Sequence, residues 1–142
     1  MNNIHFIINP ISGKGRQLKE LSEDHLRNFF PSDKFAVHIS VIPEKGATEI
    51  LTKQAIQAGA NTIVACGGDG TINEVARHIV HTDIMLGIIP RGSGNGLASH
   101  LAIPKELNSC LNIIREGLTT KIDTALAGKI RFFSNCGFGF PT

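Results

Sequence analysis

Residues 61–80 read Asn-Thr-Ile-Val-Ala-Cys-Gly-Gly-Asp-Gly-Thr-Ile-Asn-Glu-Val-Ala-Arg-His-Ile-Val, and this stretch decides the fold. The apolar run at 63–65 is typical of a parallel strand that is covered on both faces. Three glycines in the turn 67–70 allow the backbone to take positive φ and allow another molecule to approach the main chain closely. Thr71 and Glu74 match a capping box, and apolar residues at helical spacing follow them. The stretch therefore predicts a strand, a glycine turn and a helix.

This turn has the chemistry of a phosphate site. The start of a helix offers unpaired N–H groups and the positive end of a dipole, which suit an anion. Asp69 lies within the turn, where a carboxylate would repel phosphate unless a cation or a transferable proton lay between them. We therefore expect Asp69 to bind Mg²⁺ or to accept a proton from an acceptor hydroxyl. Taken alone, the turn fits a solvated glycine loop equally well.

Composition restricts the function more than it defines it. The 142 residues suffice for one domain, and 42% hydrophobic and 18% charged residues are ordinary for a globular protein. A net charge of +2 without a Lys/Arg run argues against a nucleic-acid partner. The three cysteines form no CxxC pair, which argues against a zinc site and indicates reduced thiols. With no signal peptide or long apolar run, we expect a cytoplasmic protein whose membrane contact is at most peripheral.

A second glycine-containing turn follows the first predicted strand, at 4–8. The turn reads Asn9-Pro-Ile-Ser-Gly-Lys-Gly-Arg16, and Pro10 blocks continuation of the strand. It is not a Walker A loop, which requires other residues at two positions. The chemistry is nevertheless similar, because the turn combines backbone donors with Lys14 as a point charge for phosphate. A solvated basic turn is the alternative interpretation.

A third turn follows a strand predicted at 86–89, which Pro90 stops. It reads Pro90-Arg-Gly-Ser-Gly-Asn-Gly-Leu97 and nearly fits a dinucleotide fingerprint. Leu97 occupies the third glycine position, so we reject an NAD-binding Rossmann unit. Ser93 and Asn95 are well placed to hydrogen-bond a ligand or to brace the turn at 67–70.

The remaining patterns complete an α/β domain. We predict helices at 17–30, 46–59 and 104–117, a strand at 35–42, and a hairpin of strands at 119–126 and 129–135. Alternating strands and helices predict an open, largely parallel sheet flanked by helices, with a C-terminal hairpin. Ligands of such sheets bind at the carboxyl ends of the strands, where all three glycine turns lie.

Three motifs resemble the catalytic domain of the diacylglycerol, sphingosine and ceramide kinase family. They are Asn9-Pro-x-Ser-Gly-Lys-Gly15, Gly67-Gly-Asp-Gly-Thr-Ile-Asn-Glu-Val75 and Leu86-Gly-Ile-Ile-Pro-Arg-Gly-Ser-Gly-Asn95. The resemblance implies ATP and Mg²⁺ as cofactors and transfer of the γ-phosphoryl group to a lipid hydroxyl. The residues that it places around the nucleotide are Asn9, Ser12, Gly13, Lys14, Gly67, Gly68, Asp69, Gly70, Thr71, Ile72, Asn73 and Ser93. Phosphoryl transfer needs such donors more than it needs covalent chemistry.

Two features depart from the family. Relatives often carry a nucleotide-holding Thr after the second strand, where Val41, Ile42 and Pro43 stand here. The family also continues past the motif at 137–140 into a second, β-rich domain that carries half of the lipid pocket, which we expect to be absent from 1–142. We therefore expect a nucleotide-binding domain that is a weak kinase alone. The alternatives are a complete small kinase with Asp69 as base for a soluble hydroxyl, and a non-enzymatic nucleotide-binding or dimerisation module.

The C-terminal segment at 132–140 carries four phenylalanines. Without a following domain they would form an exposed apolar patch, and a terminal strand would leave an unpaired edge. We therefore expect a homo-oligomer that associates through this end. In the competing arrangement the rings fold back onto the helix at 104–117.

Overall fold

The structure is a computed structural model that describes residues 1–10, 22–44, 46–80, 82–90, 106–117, 119–124 and 128–133. Strands and helices alternate along most of this chain. In order they are β1 Asn2–Ile8, α1 Glu23–Phe29, β2 Phe35–Val41, α2 Thr48–Gln57, β3 Thr62–Gly67, α3 Asp69–Ile79, β4 Met85–Pro90, α4 Leu107–Glu116, β5 Thr119–Thr124 and β6 Gly128–Phe133. None of the described helices is long and apolar enough to cross a membrane.

The described strands form one sheet in the order β2-β1-β3-β4-β6-β5. The neighbours from β2 to β6 pair in parallel, and β5 pairs antiparallel with β6 as the second strand of a hairpin. The prediction of an open, largely parallel α/β sheet with a C-terminal hairpin is therefore confirmed. The chain leaves β1 for β2 on one side and returns to β3 on the other side, so the topology switches between β1 and β3.

One face of the sheet is covered by α1 and α4. Phe6, Val64 and Gly87 lie side by side on neighbouring strands. Phe30, directly after α1, packs its ring against Phe6 at 5.7 Å between centroids. Ile114 of α4 packs over Gly87, where a Cβ would lie 3.2 Å from its Cδ1 and 2.9 Å from the Val64 side chain. The missing side chain at position 87 therefore lets α4 approach the sheet.

Contacts between the two helices extend beyond the core. His25 Nε2 of α1 lies 2.9 Å from Asn108 Oδ1 of α4, and the Arg115 guanidinium lies 4.6 Å from the centroid of the Phe29 ring. The carboxylate of Glu106 caps α4 by accepting from the backbone N–H groups of Asn108 and Ser109 at 3.0 and 2.7 Å. Hydrogen bonds from the Ser109 hydroxyl and then its backbone hold the pKa of Glu106 below its usual value.

The other two helices pack together. Helix α2 contacts α3 and β1, and α3 contacts β3 and β4. The buried residues of α3 are Thr71, Ile72, Val75 and Ile79. Their spacing places them on one helical face, as the apolar pattern predicts. Gly59, predicted to close α2, follows the cap residue Ala58 and adopts a φ of 87°, which is the left-handed conformation that glycine favours.

The expected C-terminal edge is wrong for the described residues. Strand β6 lies between β4 and β5, so Phe132 and Phe133 belong to an interior strand rather than to an unpaired edge. The edges of the described sheet are β2 and β5. The remaining residues of the proposed association segment, at 134–140, lie outside the described residues, and association through them stays a prediction. Most of the first half of the helix predicted at 17–30 lies outside them as well.

A histidine pair on β1 and β2 links stability to pH. His5 is buried, and its ring stacks on that of its register neighbour His38 at 4.4 Å between centroids. Its Nε2 atom is buried and has no hydrogen-bond partner among the described residues. Burial in the first place, and the charge of His38 in the second, lower the pKa of His5 below 6.5. The folded protein therefore resists protonation of a side chain that the unfolded chain protonates readily.

The free energy of unfolding should consequently decrease as the pH falls below about 6.5, where the unfolded chain binds a proton that folded His5 does not. The substitution His5→Phe keeps an aromatic ring against His38 and removes the titrating group. We expect urea denaturation between pH 8 and pH 5 to show a smaller loss of stability in this variant than in the wild type. Equal losses in both proteins would contradict the assignment to His5.

Candidate functional site

The carboxyl ends of three strands meet at one edge of the sheet. Cys66 of β3 lies beside Ile8 of β1 and Ile89 of β4, and Gly67 lies beside Pro90. All three strands run in the same direction, so the segments that follow them leave from the same edge. The three strand ends that precede the glycine turns therefore lie on one rim, as predicted, while the turns at 13–15 and 92–96 lie outside the described residues. Open α/β sheets bind their ligands at this edge, where the topology switches.

Asn9 joins the end of β1 to the beginning of α3. Its backbone N–H donates to the carbonyl of Cys66 at 2.9 Å, which extends the pairing of β1 with β3 by one residue. Its side-chain Nδ2 donates to Thr71 Oγ1 at 3.2 Å. Asn9 therefore fixes the position of the first turn of α3 relative to the sheet.

Gly67 is required by this close approach. A Cβ at position 67 would lie 2.8 Å from Thr71 Oγ1, 2.9 Å from Thr71 Cβ and 3.2 Å from Asn9 Cβ. Real Cβ atoms hardly ever lie below 3.0 Å from a neighbour, so a side chain here would push Thr71 away. The glycine at position 67 is thus explained by the space between β1, β3 and α3.

The glycines of this turn do not use the positive φ angles that they allow. Among the described residues, the glycines with positive φ are Gly46, Gly59 and Gly117, none of them in the turn at 67–70. Gly68 has a φ of −85° and a ψ of −170°, which is extended backbone that any residue adopts. The turn therefore depends on glycine for close approach and not for left-handed backbone.

The capping box is also wrong, because the helix begins three residues earlier than the motif indicates. Helix α3 starts at Asp69 with Gly68 as its cap residue, and Thr71 is its third residue. Thr71 is buried, and its hydroxyl accepts from Asn9. Gly68 has no side chain to occupy the N–H groups of the first turn. No side chain in the described part of the chain caps them, and in this sense they are open to an external acceptor, which the helix dipole favours as an anion.

The structure brings eight of the predicted site residues together. Asn9 follows β1, Gly67 ends β3, Gly68 caps α3, and the first five residues of α3 are Asp69, Gly70, Thr71, Ile72 and Asn73. Gly70 and Asn73 are exposed, whereas Ile72 is completely buried in the core. The side chain of Ile72 therefore packs in the core. Ser12, Gly13, Lys14, Ser93 and Asn95 lie outside the described residues.

The sequence did not lead us to two polar features of the fold, a long-range hydrogen bond and a cluster of three side chains. The hydrogen bond from Asn9 to Thr71 joins residues 62 positions apart, and no local pattern indicates it. Glu49 of α2 meets Glu74 and His78 of α3, with potential ligand atoms of all three side chains within 4.8 Å of one another. The spacing of Glu74 and His78, one helical turn apart, is a signal that the sequence does contain. The approach of Glu49 depends on helix packing.

A cavity of about 530 Å³ lies at the opposite edge of the sheet. Its lining includes Asn2, Thr62 and Met85, which are the first residues of β1, β3 and β4. The polar side chain of Asn61 in this lining already accepts from the backbone of Asn3 at 2.7 Å. Since ligands of open parallel sheets bind at the carboxyl ends of the strands, we assign the candidate site to the other edge.

Comparisons with known proteins agree on one family. Residues 3–127 match the diacylglycerol kinase catalytic domain. Probable lipid kinases described as YegS-like, from Klebsiella pneumoniae and Pectobacterium atrosepticum, are 35% and 33% identical over 93% and 92% of this chain. A diacylglycerol kinase from Bacillus anthracis has a similar structure, with a TM-score of 0.70 and 25% identity over 90% of the chain. The chain spans 45%, 46% and 47% of these three proteins, which is less than half of each.

The close packing at Gly67 generates a stability prediction. Gly67→Ala should lower the free energy of unfolding by about 1–3 kcal/mol, the usual effect of overpacking a well-filled site. Gly70→Ala is the matched control in the same turn, because a Cβ at position 70 meets nothing within 4 Å. Because Gly70 is an exposed helical position, Gly70→Ala should raise the free energy of unfolding by up to about 1 kcal/mol. Urea denaturation measures both variants, and equal effects of the two substitutions would contradict the packing argument.

Proposed function

The chain belongs to the diacylglycerol kinase catalytic domain family, and we propose on this basis that it is the ATP-binding part of a lipid kinase. The observation that carries the proposal is the meeting of Asn9, Gly67 and the start of α3 at the switch point of the sheet. This arrangement presents open N–H groups at the beginning of an 11-residue helix. The proposed reaction is transfer of the γ-phosphoryl group of ATP to a lipid hydroxyl.

In this proposal the phosphates of ATP lie against the turn that leads into α3. The N–H groups of the first turn of α3 would donate to phosphate oxygens, and the dipole of α3 would favour their negative charge. The close packing at Gly67 holds that turn against the end of β1. We also place Ser12, Gly13 and Lys14 at the phosphates, because they follow β1 at the same edge, and Ser93 and Asn95, because they follow β4 there. Lys14 would supply the point charge.

Asp69 is proposed to act beside the phosphates. It is the first residue of α3, so it lies at the end of the helix where the N–H groups are open. A carboxylate suits Mg²⁺, which prefers oxygen ligands and is bound by one or two carboxylates together with substrate phosphates. Bound there, Mg²⁺ would neutralise charge that develops on the phosphoryl oxygens. We propose that Asp69 either holds this ion or takes the proton of the acceptor hydroxyl.

The acceptor is proposed from the relatives. The similar bacterial proteins are described as probable lipid kinases and as a diacylglycerol kinase, so we propose diacylglycerol or a related lipid as substrate. A lipid substrate implies peripheral contact with a membrane surface. Because the chain spans less than half of these proteins, we propose that residues 1–142 supply the nucleotide site and that transfer by this chain alone is weak.

Substitution at the cap of α3 tests the nucleotide site. The extended backbone of Gly68 is one that valine adopts without strain, so Gly68→Val should keep the fold. Its side chain would stand where the phosphates approach the main chain. We expect calorimetry to show binding of Mg·ATP to the wild type and no measurable binding to the variant. Unchanged affinity in a folded variant would exclude this placement of the phosphates.

The substitution Asp69→Asn tests the role of the carboxylate. It removes the charge and keeps the shape, so ATP binding should lose its dependence on Mg²⁺ while the melting temperature stays unchanged. The matched control is Asp83→Asn, because Asp83 is exposed at the opposite edge of the sheet. A loss of several kcal/mol of stability in Asp69→Asn, the size expected of a broken buried network, would show that Asp69 serves the fold instead.

Transfer of radiolabelled γ-phosphate from ATP in mixed micelles tests the acceptor. Labelled phosphatidic acid from diacylglycerol, absent with Asp69→Asn, is the result that the proposal predicts. Labelling of a soluble hydroxyl compound in preference to the lipid would contradict it.

A further inference from the structure

A cluster of three metal-ligating side chains lies between α2 and α3, away from the open N–H groups at the start of α3. Glu49 belongs to the first turn of α2, while Glu74 and His78 lie one turn apart on α3. Each side chain offers one potential ligand atom, and these atoms lie within 4.8 Å of one another. The proposed kinase reaction does not use any of these three side chains.

The Nε2 atom of His78 is buried, and it makes no hydrogen bond within the described part of the chain. The nearest carboxylate oxygen is Glu74 Oε1 at 3.7 Å, which is beyond hydrogen-bond distance. Two ligand atoms that each lie about 2.1 Å from a tetrahedral Zn²⁺ are about 3.4 Å apart. The observed spacing is therefore closer to that of two ligands sharing a cation than to that of a direct bond.

The two carboxylates of the cluster also take part in ion pairs. Lys53 Nζ lies 2.9 Å from Glu49 Oε1, and Arg77 pairs with Glu74 Oε2. Lys53 and Arg77 thus each pair with one carboxylate oxygen. The other oxygen of Glu74, Oε1, is directed towards His78. Glu49 is 45% exposed, so a solvated ion could reach the cluster without unfolding.

We propose that Glu49, Glu74 and His78 form a binding site for one divalent transition-metal ion of the Zn²⁺ class. An imidazole with two carboxylates suits Zn²⁺, whereas Mg²⁺ and Ca²⁺ prefer oxygen ligands alone. The ion would clamp α2 to α3, the helix whose first turn packs against Asn9. This site is distinct from the proposed Mg²⁺ position at Asp69 and does not depend on the kinase proposal.

Titration of chelator-treated protein with zinc chloride tests the site. Calorimetry should show one saturable Zn²⁺ site, and thermal unfolding should shift to higher temperature with Zn²⁺ but not with the same concentration of Mg²⁺. Glu49→Gln and His78→Gln should each weaken binding at least tenfold. Glu49 is only partly buried, so its variant stays informative even if His78→Gln lowers stability.

Two residues of α1 provide matched controls. Glu23 forms the same type of exposed ion pair as Glu49, with Arg27 one helical turn away at 3.1 Å, and His25 is a half-buried histidine bonded to Asn108. Glu23→Gln and His25→Gln should leave Zn²⁺ affinity unchanged. Lys53→Gln should increase the affinity, because the ammonium group that competes for Glu49 is removed.

Three outcomes would overturn the proposal. The first is the lack of a saturable Zn²⁺ site, and the second is equal Zn²⁺ affinity in the wild type and Glu49→Gln. The third is an equal loss of Zn²⁺ affinity in the cluster variants and in their α1 controls. In each case Glu49 and Glu74 would serve only as ion-pair partners of Lys53 and Arg77.

Discussion

The close approach of Asn9 to Gly67 is the constraint on which the candidate site depends. Parallel pairing of β1 with β3 brings the ends of these strands together at the topological switch. A side chain at position 67 would collide with Thr71 and crowd Asn9, so the start of α3 can lie against β1 only because this residue is glycine. The hydrogen bond from Asn9 to Thr71 then fixes the helix. This contact therefore sets where the first turn of α3 lies relative to the end of β1.

The sequence predicted the sheet well because burial on both faces leaves a strong local signal. The apolar runs of β1, β3 and β4 and the glycine turns after them sufficed to place three strand ends on one rim. The start of α3 was predicted three residues late, because Thr71 and Glu74 imitate a capping box. In the fold Thr71 is buried and bonded to Asn9, 62 residues away, so a long-range contact overrides the local pattern.

The rest of the site could not be predicted from local patterns. The cluster of Glu49, Glu74 and His78 depends on how α2 packs against α3, which no spacing within one helix specifies. The position of β6 inside the sheet likewise depends on a parallel pairing with β4, on the far side of α4 and β5 in the chain. An apolar C-terminal segment therefore suggested an edge strand, whereas its first residues pair on both sides.

The central claim is that the edge formed by the ends of β1 and β3, and not the cavity at the opposite edge, holds the nucleotide phosphates. The most direct measurement is a titration of ¹⁵N-labelled protein with Mg²⁺ and a non-hydrolysable ATP analogue, followed by NMR. The account predicts the largest amide shift changes at Asn9 and in the turn at 67–71, with little change at Asn2, Asn61 and Asp83. Changes concentrated at the latter three residues, or no saturable changes at 67–71, would contradict it.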